Sequence, residues 1–439
     1  MSDGTRPPFH PVPEGRLGRL LRLGGMTTGV LGSAAAAGLG QMARGRRPSL
    51  AGAFLTPAIA ARVAQDLGRM RGAAMKLGQM LSMDPGLVLP DEMTALLAAL
   101  RADAPPMPPK QLQTVLNAEW GQGWYGRFPR FDLRPFAAAS IGQVHRATAP
   151  DGRLLAIKVQ YPGVRASIDS DLDNVAALLR LPGLLPRGLD LAPLLAEARR
   201  QLHHEADYAL EARNLQAFRG LLADSGRYVL PEPVPDLSTS NVLAMTYIDS
   251  QPMEALATAP QALRDRLAAD LIDLCLNELF TFGLMQTDPN LANYRFDPQS
   301  GRVVLLDFGA VMPIDPALQR RFRRLLRVAL GDDPAATRAA LLEIGYFDPA
   351  TAPRHQDLIQ QMFEAAMVPL RQTTPFDFGR SPLLQTLRDM GLGMAGERDL
   401  AHVPPPATMF LHRKIGGIYL LAARLGARVA LRPLVERFC

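Results

Sequence analysis

The chain has 439 residues, 48% hydrophobic and 21% charged, which excludes a disordered polar polymer. Its two cysteines, Cys275 and Cys439, lie far apart, which excludes a disulfide framework or a CxxC zinc site and points to a reducing compartment. A net charge of +6 is too small an excess over this length to announce a nucleic-acid binder, and no nucleic-acid partner is expected.

The N-terminal residues carry Asp3, Glu14 and prolines at 7, 8, 11 and 13, a pattern unlike a signal peptide. Leu23 to Ala43 then runs without a charge between Arg16, Arg19 and Arg22 on one side and Arg44, Arg46 and Arg47 on the other. The length matches a hydrocarbon core of ~30 Å, but repeated glycine, Thr27, Thr28, Ser33 and Gln41 dilute its apolar content. Three readings stay open: a packed or flexible segment, peripheral attachment through the basic flanks, and a membrane span. From Thr56 to Met83 the recurrence of Ile59, Val63, Leu67, Met70 and Met80 predicts a helix, which contains Met75-Lys76-Leu77-Gly78-Gln79. Pro90 to Ala102 predicts a second helix, and Ala104 to Pro109 a linker.

Phe131 to Val159 predicts strands: Leu133 to Phe136, then Ala137-Ala138-Ala139-Ser140, Ile141 to Thr148, a turn at Pro150-Asp151-Gly152, and Leu154 to Val159. Lys158 interrupts the last of these apolar runs. One long helix is expected from Leu189 to Leu222, carrying His203, His204, Glu205, Asp207 and Glu211. The histidine pair reads as solvated, since no further ligand is spaced to complete a metal site. Asn241 to Ile248 predicts another strand, Ala262 to Phe282 a buried apolar helix, and the chain after Pro316 helices with short connections. A β-rich lobe joined near residue 249 to a helical one follows.

The strongest chemical signal is MQTDPNLANYRFDPQSGRVVLLDFGA, Met285 to Ala310. Tyr294 to Phe296 and Val303 to Leu306 predict a hairpin around Asp297 to Gly301, which brings Asp288, Asn293 and Asp307 toward one spot. Two carboxylates and an amide oxygen are hard ligands, suited to Mg²⁺ and a triphosphate, and D-x4-N followed by DFG is the arrangement of phosphoryl-transfer sites. Lys158, in Leu155-Ala156-Ile157-Lys158, matches a phosphate-gripping strand lysine, and Glu211 is its expected counter-ion. Glu205 and Asp207 remain open between a solvated acidic face and a partner for another element.

These motifs together resemble the UbiB/AarF family of atypical kinases from about residue 55 onward. Ala137-Ala138-Ala139-Ser140-Ile141-Gly142-Gln143-Val144 resembles the family's alanine-rich loop, Lys76 to Gln79 its KxGQ signature and Glu205-Ala206-Asp207 its ExD signature. MQTDPN and IKVQYPGV resemble the coenzyme-Q-supporting subgroup, while more distant members read HADPHPGN. The resemblance implies an α+β, protein-kinase-like two-lobed fold: a small β-rich N-lobe, a helical C-lobe and an N-terminal helical extension packed over the active site. The implied segments are 1–55 (basic, Gly/Ala-rich), 56–125 (KxGQ extension and linker), 126–248 (N-lobe) and 249–439 (C-lobe).

The resemblance further implies ATP/ADP and Mg²⁺ as ligands. Ala137, Ala138, Ala139, Ser140, Gln143, Lys158, Thr246 and Ile248 would meet the nucleotide, Asp288 with Lys158 and Glu211 would be catalytic, and Asn293 and Asp307 would hold metal. Lys76, Gln79, Glu205 and Asp207 would join the extension to the site. The implied function is an ATPase or atypical kinase supporting ubiquinone biosynthesis, located in the cytoplasm or peripherally on the inner face of the cell membrane. Implied partners are anionic lipid and ubiquinone-pathway lipids or enzymes. The rivals are a nucleotide-gated lipid-binding scaffold without turnover and a kinase acting on a small molecule or protein.

Alanines lack glycine's access to positive φ, so the loop is expected to be stiff. Ala310 to Pro316 leads directly into a helix rich in Arg320, Arg321, Arg323 and Arg324. That leaves no long activation segment and no APE tripeptide for docking a peptide, so water is the favoured acceptor. The arginine helix reads either as a solvated face or as a binder of acidic lipid. No terminal pair of membrane spans is read.

Overall fold

The computed structural model describes residues 106–139, 141–179, 192–288, 290–331, 333–395 and 405–439. Segment 23–43, the KxGQ stretch with Lys76 and Gln79, and Ser140 lie outside the described residues. Among the described residues, 106–213 with 232–247 form one unit and 214–231 with 248–439 a second.

In the first unit, α1 (Pro109–Trp120) opens on a proline, whose missing N–H costs nothing at a helix start, and stops at Gly121, φ 82°. Its Leu112, Leu116 and Trp120 recur every fourth residue and are buried. The chain continues through β1 (Arg130–Phe131), β2 (Ala137–Ala138), β3 (Gly142–Thr148), β4 (Leu154–Gln160), α2 (Val164–Leu179), α3 (Ala192–Glu205) and α4 (Tyr208–Leu221). The second unit supplies β5 (Tyr228–Val229) before the chain returns as β6 (Val242–Thr246). The antiparallel sheet runs β1-β3-β4-β6, with β2 also pairing β3. Period-two alternation sends Leu155, Ile157 and Val159 into a core with Leu112, Leu116, Trp120, Trp124, Phe128 and Phe131. Lys158 therefore points to the opposite face.

The helix expected over 189–222 is two helices, broken at Ala206-Asp207. The Asp207 carboxylate accepts the Leu210 N–H at 2.9 Å and so caps α4. An aspartate side chain that satisfies the first-turn donors favours a new start over continuation. Helix α2 was not anticipated from the sequence.

The second unit contains β7 (Gln251–Pro252) and α5 (Gln261–Asn277), which widens into a π turn over Glu278–Phe282. Gly283, φ 61°, stops it. Then come β8 (Leu284–Gln286), β9 (Tyr294–Phe296), β10 (Val303–Leu305) and β11 (Val311–Pro313). Strands β9 and β10 form the expected hairpin, in a sheet of order β5-β10-β9-β7, and β8 pairs β11. Helices α6 (Pro316–Leu330), α7 (Pro334–Ile344) and α8 (Pro353–Arg371) follow directly. After them, β12 (Phe376–Asp377), α9 (Leu383–Ala395), α10 (Pro406–Arg424), β13 (Arg428–Val429) and α11 (Leu431–Glu436) complete the chain. The β12–β13 pair corrects the all-helical expectation after Pro316. Two-residue strands are too short to show an alternation.

Candidate active site

Lys158 is centred in β4 between β3 and β6, paired across them with Val144 and Leu243. Its Nζ lies 2.9 and 2.8 Å from the two carboxylate oxygens of Glu211, and the lysine and glutamate side chains are 10% and 2% exposed. At that burial neither charge is tolerable alone, and two hydrogen bonds to one carboxylate offset the desolvation. The Tyr208 ring faces the ammonium at 5.1 Å. Gln160, two residues along the same face, donates to the Ala206 carbonyl at 2.9 Å and fastens β4 to the turn between α3 and α4.

Ala137 and Ala138 are exposed on β2, and the Ala139 N–H closes the loop onto the Gly142 carbonyl at 2.9 Å. Gly142 is required by proximity: a Cβ there would stand 2.5 Å from the Val159 carbonyl oxygen and 2.6 Å from the Tyr208 hydroxyl. Gln143 differs from the nucleotide-contacting role read from the sequence, because β3 alternation turns its side chain inward, 1% exposed. Its Oε1 accepts the Met107 N–H at 2.9 Å, which leaves Nε2 donating to His145 Nε2 at 2.8 Å. His145 Nδ1 therefore carries the proton and donates to the Asp132 carbonyl at 2.8 Å. Burial lowers the His145 pKa to about 4, so the imidazole is neutral. At the end of β6, Thr246 exchanges backbone and hydroxyl hydrogen bonds with Glu232. Ile248, which follows, is half-buried.

In the second unit the run 286–311 is framed at two places. Thr287 donates both its N–H and its hydroxyl to the Ala310 carbonyl, at 2.7 and 3.1 Å, beside the β8–β11 ladder. On the hairpin side, Leu306 N–H reaches the Asn293 carbonyl at 3.4 Å, and Leu305 pairs with Tyr294. Asp288 and Asn293 thus occupy one short loop and Asp307 another, both anchored to the same strands. Asn293 Nδ2 donates to Asp288 Oδ2 at 3.1 Å, and Asp288 Oδ1 accepts the Asn290 N–H at 3.3 Å. Asp307 Oδ1 accepts the Gly309 N–H at 3.0 Å. Phe308 is buried against Phe218, centroids 4.9 Å apart, and its carbonyl accepts from Asn214.

These residues fit a magnesium-bound triphosphate. Asn293 turns its N–H₂ toward Asp288, which directs its carbonyl oxygen away from that carboxylate. The donors are all hard oxygens, and they are few. No group of three or more His, Cys, Asp or Glu able to hold a metal occurs among the described residues. Two carboxylates and an amide oxygen are donors of the kind Mg²⁺ takes, together with substrate phosphates and water.

The sequence profile of the ABC1 atypical kinase-like domain matches residues 99–340, more than half of the chain. The chain belongs to the ABC1 atypical kinase-like family. The mitochondrial atypical kinase COQ8 of Saccharomyces cerevisiae is 37% identical, over 97% of this chain and 85% of the yeast protein. The mitochondrial COQ8B of Rattus norvegicus is 35% identical, over 99% and 82%. A solved structure of Rv3197 with erythromycin, from Mycobacterium tuberculosis, matches with a TM-score of 0.61 at 28% identity, over 85% of this chain and 93% of that one. The fold is accordingly α+β and kinase-like, the enzyme class is an atypical kinase-like ATPase, and the fold implies ATP as the nucleotide.

Asp207, left open by the sequence, is a helix cap, and His203 is bonded to Asp169 at 3.1 Å on an exposed face. Reading for motifs missed a buried polar cluster of Glu278, Gln286, Tyr294 and Lys414. Its one sequence signal was a lysine inside the helical run Leu411 to Leu425, in a chain with four lysines.

Proposed function

We propose that this chain is an Mg²⁺-dependent ATPase of the atypical kinase type, supporting ubiquinone biosynthesis at a membrane surface. The observation that carries the reading is the doubly anchored arrangement of Asp288, Asn293 and Asp307; the buried Lys158–Glu211 pair of the first unit supports it separately. Lys158 binds nucleotide phosphate, held by Glu211. Asn293 and Asp307 take the metal, and Asp288 orients the attacking group. The exposed Ala137-Ala138 strand covers the phosphates, and backbone groups from Thr246 to Ile248 meet adenine.

Helix α6 follows β11 after a two-residue turn, so the peptide-docking shelf of protein kinases has no counterpart there. This favours water as acceptor. Among the described residues no helix is long and apolar enough to cross a membrane. Peripheral attachment on the inner face of the cell membrane is supported by the exposed arginines of α6, Arg320, Arg321, Arg324 and Arg327, which suit anionic lipid. The family relationship to mitochondrial COQ8 proteins supports the ubiquinone role.

The test is Asp288→Asn: ATP hydrolysis falls at least a hundredfold while ATP binding by fluorescence titration stays within threefold. Unchanged turnover refutes the assignment. For the pathway, quinone content of a deletion strain is restored by the native gene and not by Lys158 or Asp307 variants.

A further inference from the structure

Lys414 on α10 is 1% exposed, and so is Glu278, whose carboxylate lies 2.9 Å from the Lys414 ammonium. The glutamate sits at the first residue of the π turn that ends α5, a widened geometry that recurs at functional sites. The ammonium also donates to Gln286 Oε1 at 3.1 Å, and the Tyr294 hydroxyl donates to that same oxygen at 3.1 Å. With two donors on its oxygen, the amide has one permitted orientation, and Gln286 Nε2 donates to the Asp288 carbonyl at 3.0 Å. Burial pushes the Tyr294 phenol up to about 12, so it remains a donor.

We infer that Gln286 is a positioning residue for the Asp288 loop, its amide locked in one orientation by the Lys414–Glu278 ion pair and the Tyr294 hydroxyl. A core merely needing to be filled would take an apolar residue at 414 at lower cost, because a buried ion pair is commonly no more stable than hydrophobic replacements. A buried polar network built around an ion pair supplies instead a defined geometry. Here that geometry ends on the backbone of the loop holding Asp288 and Asn293. The inference rests on the role assigned to Asp288 above.

Gln286→Glu tests the contact. The carboxylate keeps the shape and accepts from Lys414 and Tyr294 as before, but it removes the N–H offered to the Asp288 carbonyl, sets an oxygen against that carbonyl, and adds a charge beside Glu278. ATP turnover and nucleotide binding are measured on the full chain, with Asp288→Asn in parallel. The expected result is a kcat at least tenfold lower, with KM for ATP within threefold, at a temperature where the variant is still folded. A kcat within twofold of the parent overturns the inference; turnover retained in Asp288→Asn would instead overturn the reading beneath it. If Gln286→Glu melts below the assay temperature, Tyr294→Phe removes one lock and leaves the ion pair. It is expected to lower kcat at least threefold with binding unchanged, and parental kcat there also overturns the inference.

Discussion

Asp207 Oδ1 accepts the backbone N–H of Leu210 at 2.9 Å, so the same residue that ends one helical run starts the helix holding Glu211 against Lys158. The acidic motif is thereby structural: the cap fixes where α4 begins and hence which side chain faces β4. Asp207→Ala is expected to lose about 1 kcal/mol, the usual cost of a removed cap. Asp207→Ser should recover most of it. Urea unfolding of the three proteins checks this, and equal midpoints for Ala and Asp would contradict it.

Breaking the Lys158–Glu211 pair from one side leaves a charge in a buried site. Lys158→Met is expected to destabilise by roughly 3–5 kcal/mol, because the orphaned carboxylate has lost its counter-ion. Lys158→Met combined with Glu211→Leu should be more stable than the single variant. A double-mutant cycle in urea reads the coupling, and strict additivity would show that the pair contributes nothing. With Lys158 as the proposed phosphate ligand, nucleotide affinity measured by fluorescence titration is expected to fall in these variants.

At Gly142 the constraint is space, since a Cβ would approach two oxygens from Val159 and Tyr208. Gly142→Ala is expected to destabilise by about 1–3 kcal/mol, the range for overpacking a well-packed site. Tyr208→Phe in the same chain should relieve only part of this, because the Val159 carbonyl remains. Thermal melts of the single and double variants decide.

His145 imposes an acid limit. It is fully buried, and burial lowers its folded-state pKa from 6.5 to about 4. The unfolded chain therefore takes up a proton near pH 6.5 while the folded one does not. The stability this group contributes is present above pH 6.5 and is lost as the pH falls toward about 4. The shift corresponds to roughly 3 kcal/mol across that window. Urea midpoints should fall accordingly between pH 7 and 4, and the His145 ring resonances should hold their neutral positions at pH 5.5. A ring that titrates near 6.5 would contradict the inward hydrogen-bond chain from Met107 through Gln143.

The sequence by itself determined the β9–β10 hairpin, the strand carrying Lys158, and the spacing of Asp288, Asn293 and Asp307. Turn residues and two-residue alternation act over a few positions, so neighbouring residues suffice to specify them. The break at Asp207 lay on the boundary, since a cap is local chemistry but competes with an uninterrupted helical pattern. Only the tertiary structure decided that Gln143 faces inward and that Gln286 is gripped by Lys414, 128 residues away. Which side of a polar residue is used depends on the partner that folding brings to it. A lone glutamine or lysine carries no periodic signal of that partner, because the free energy that orients it exists only once distant segments have excluded water around it.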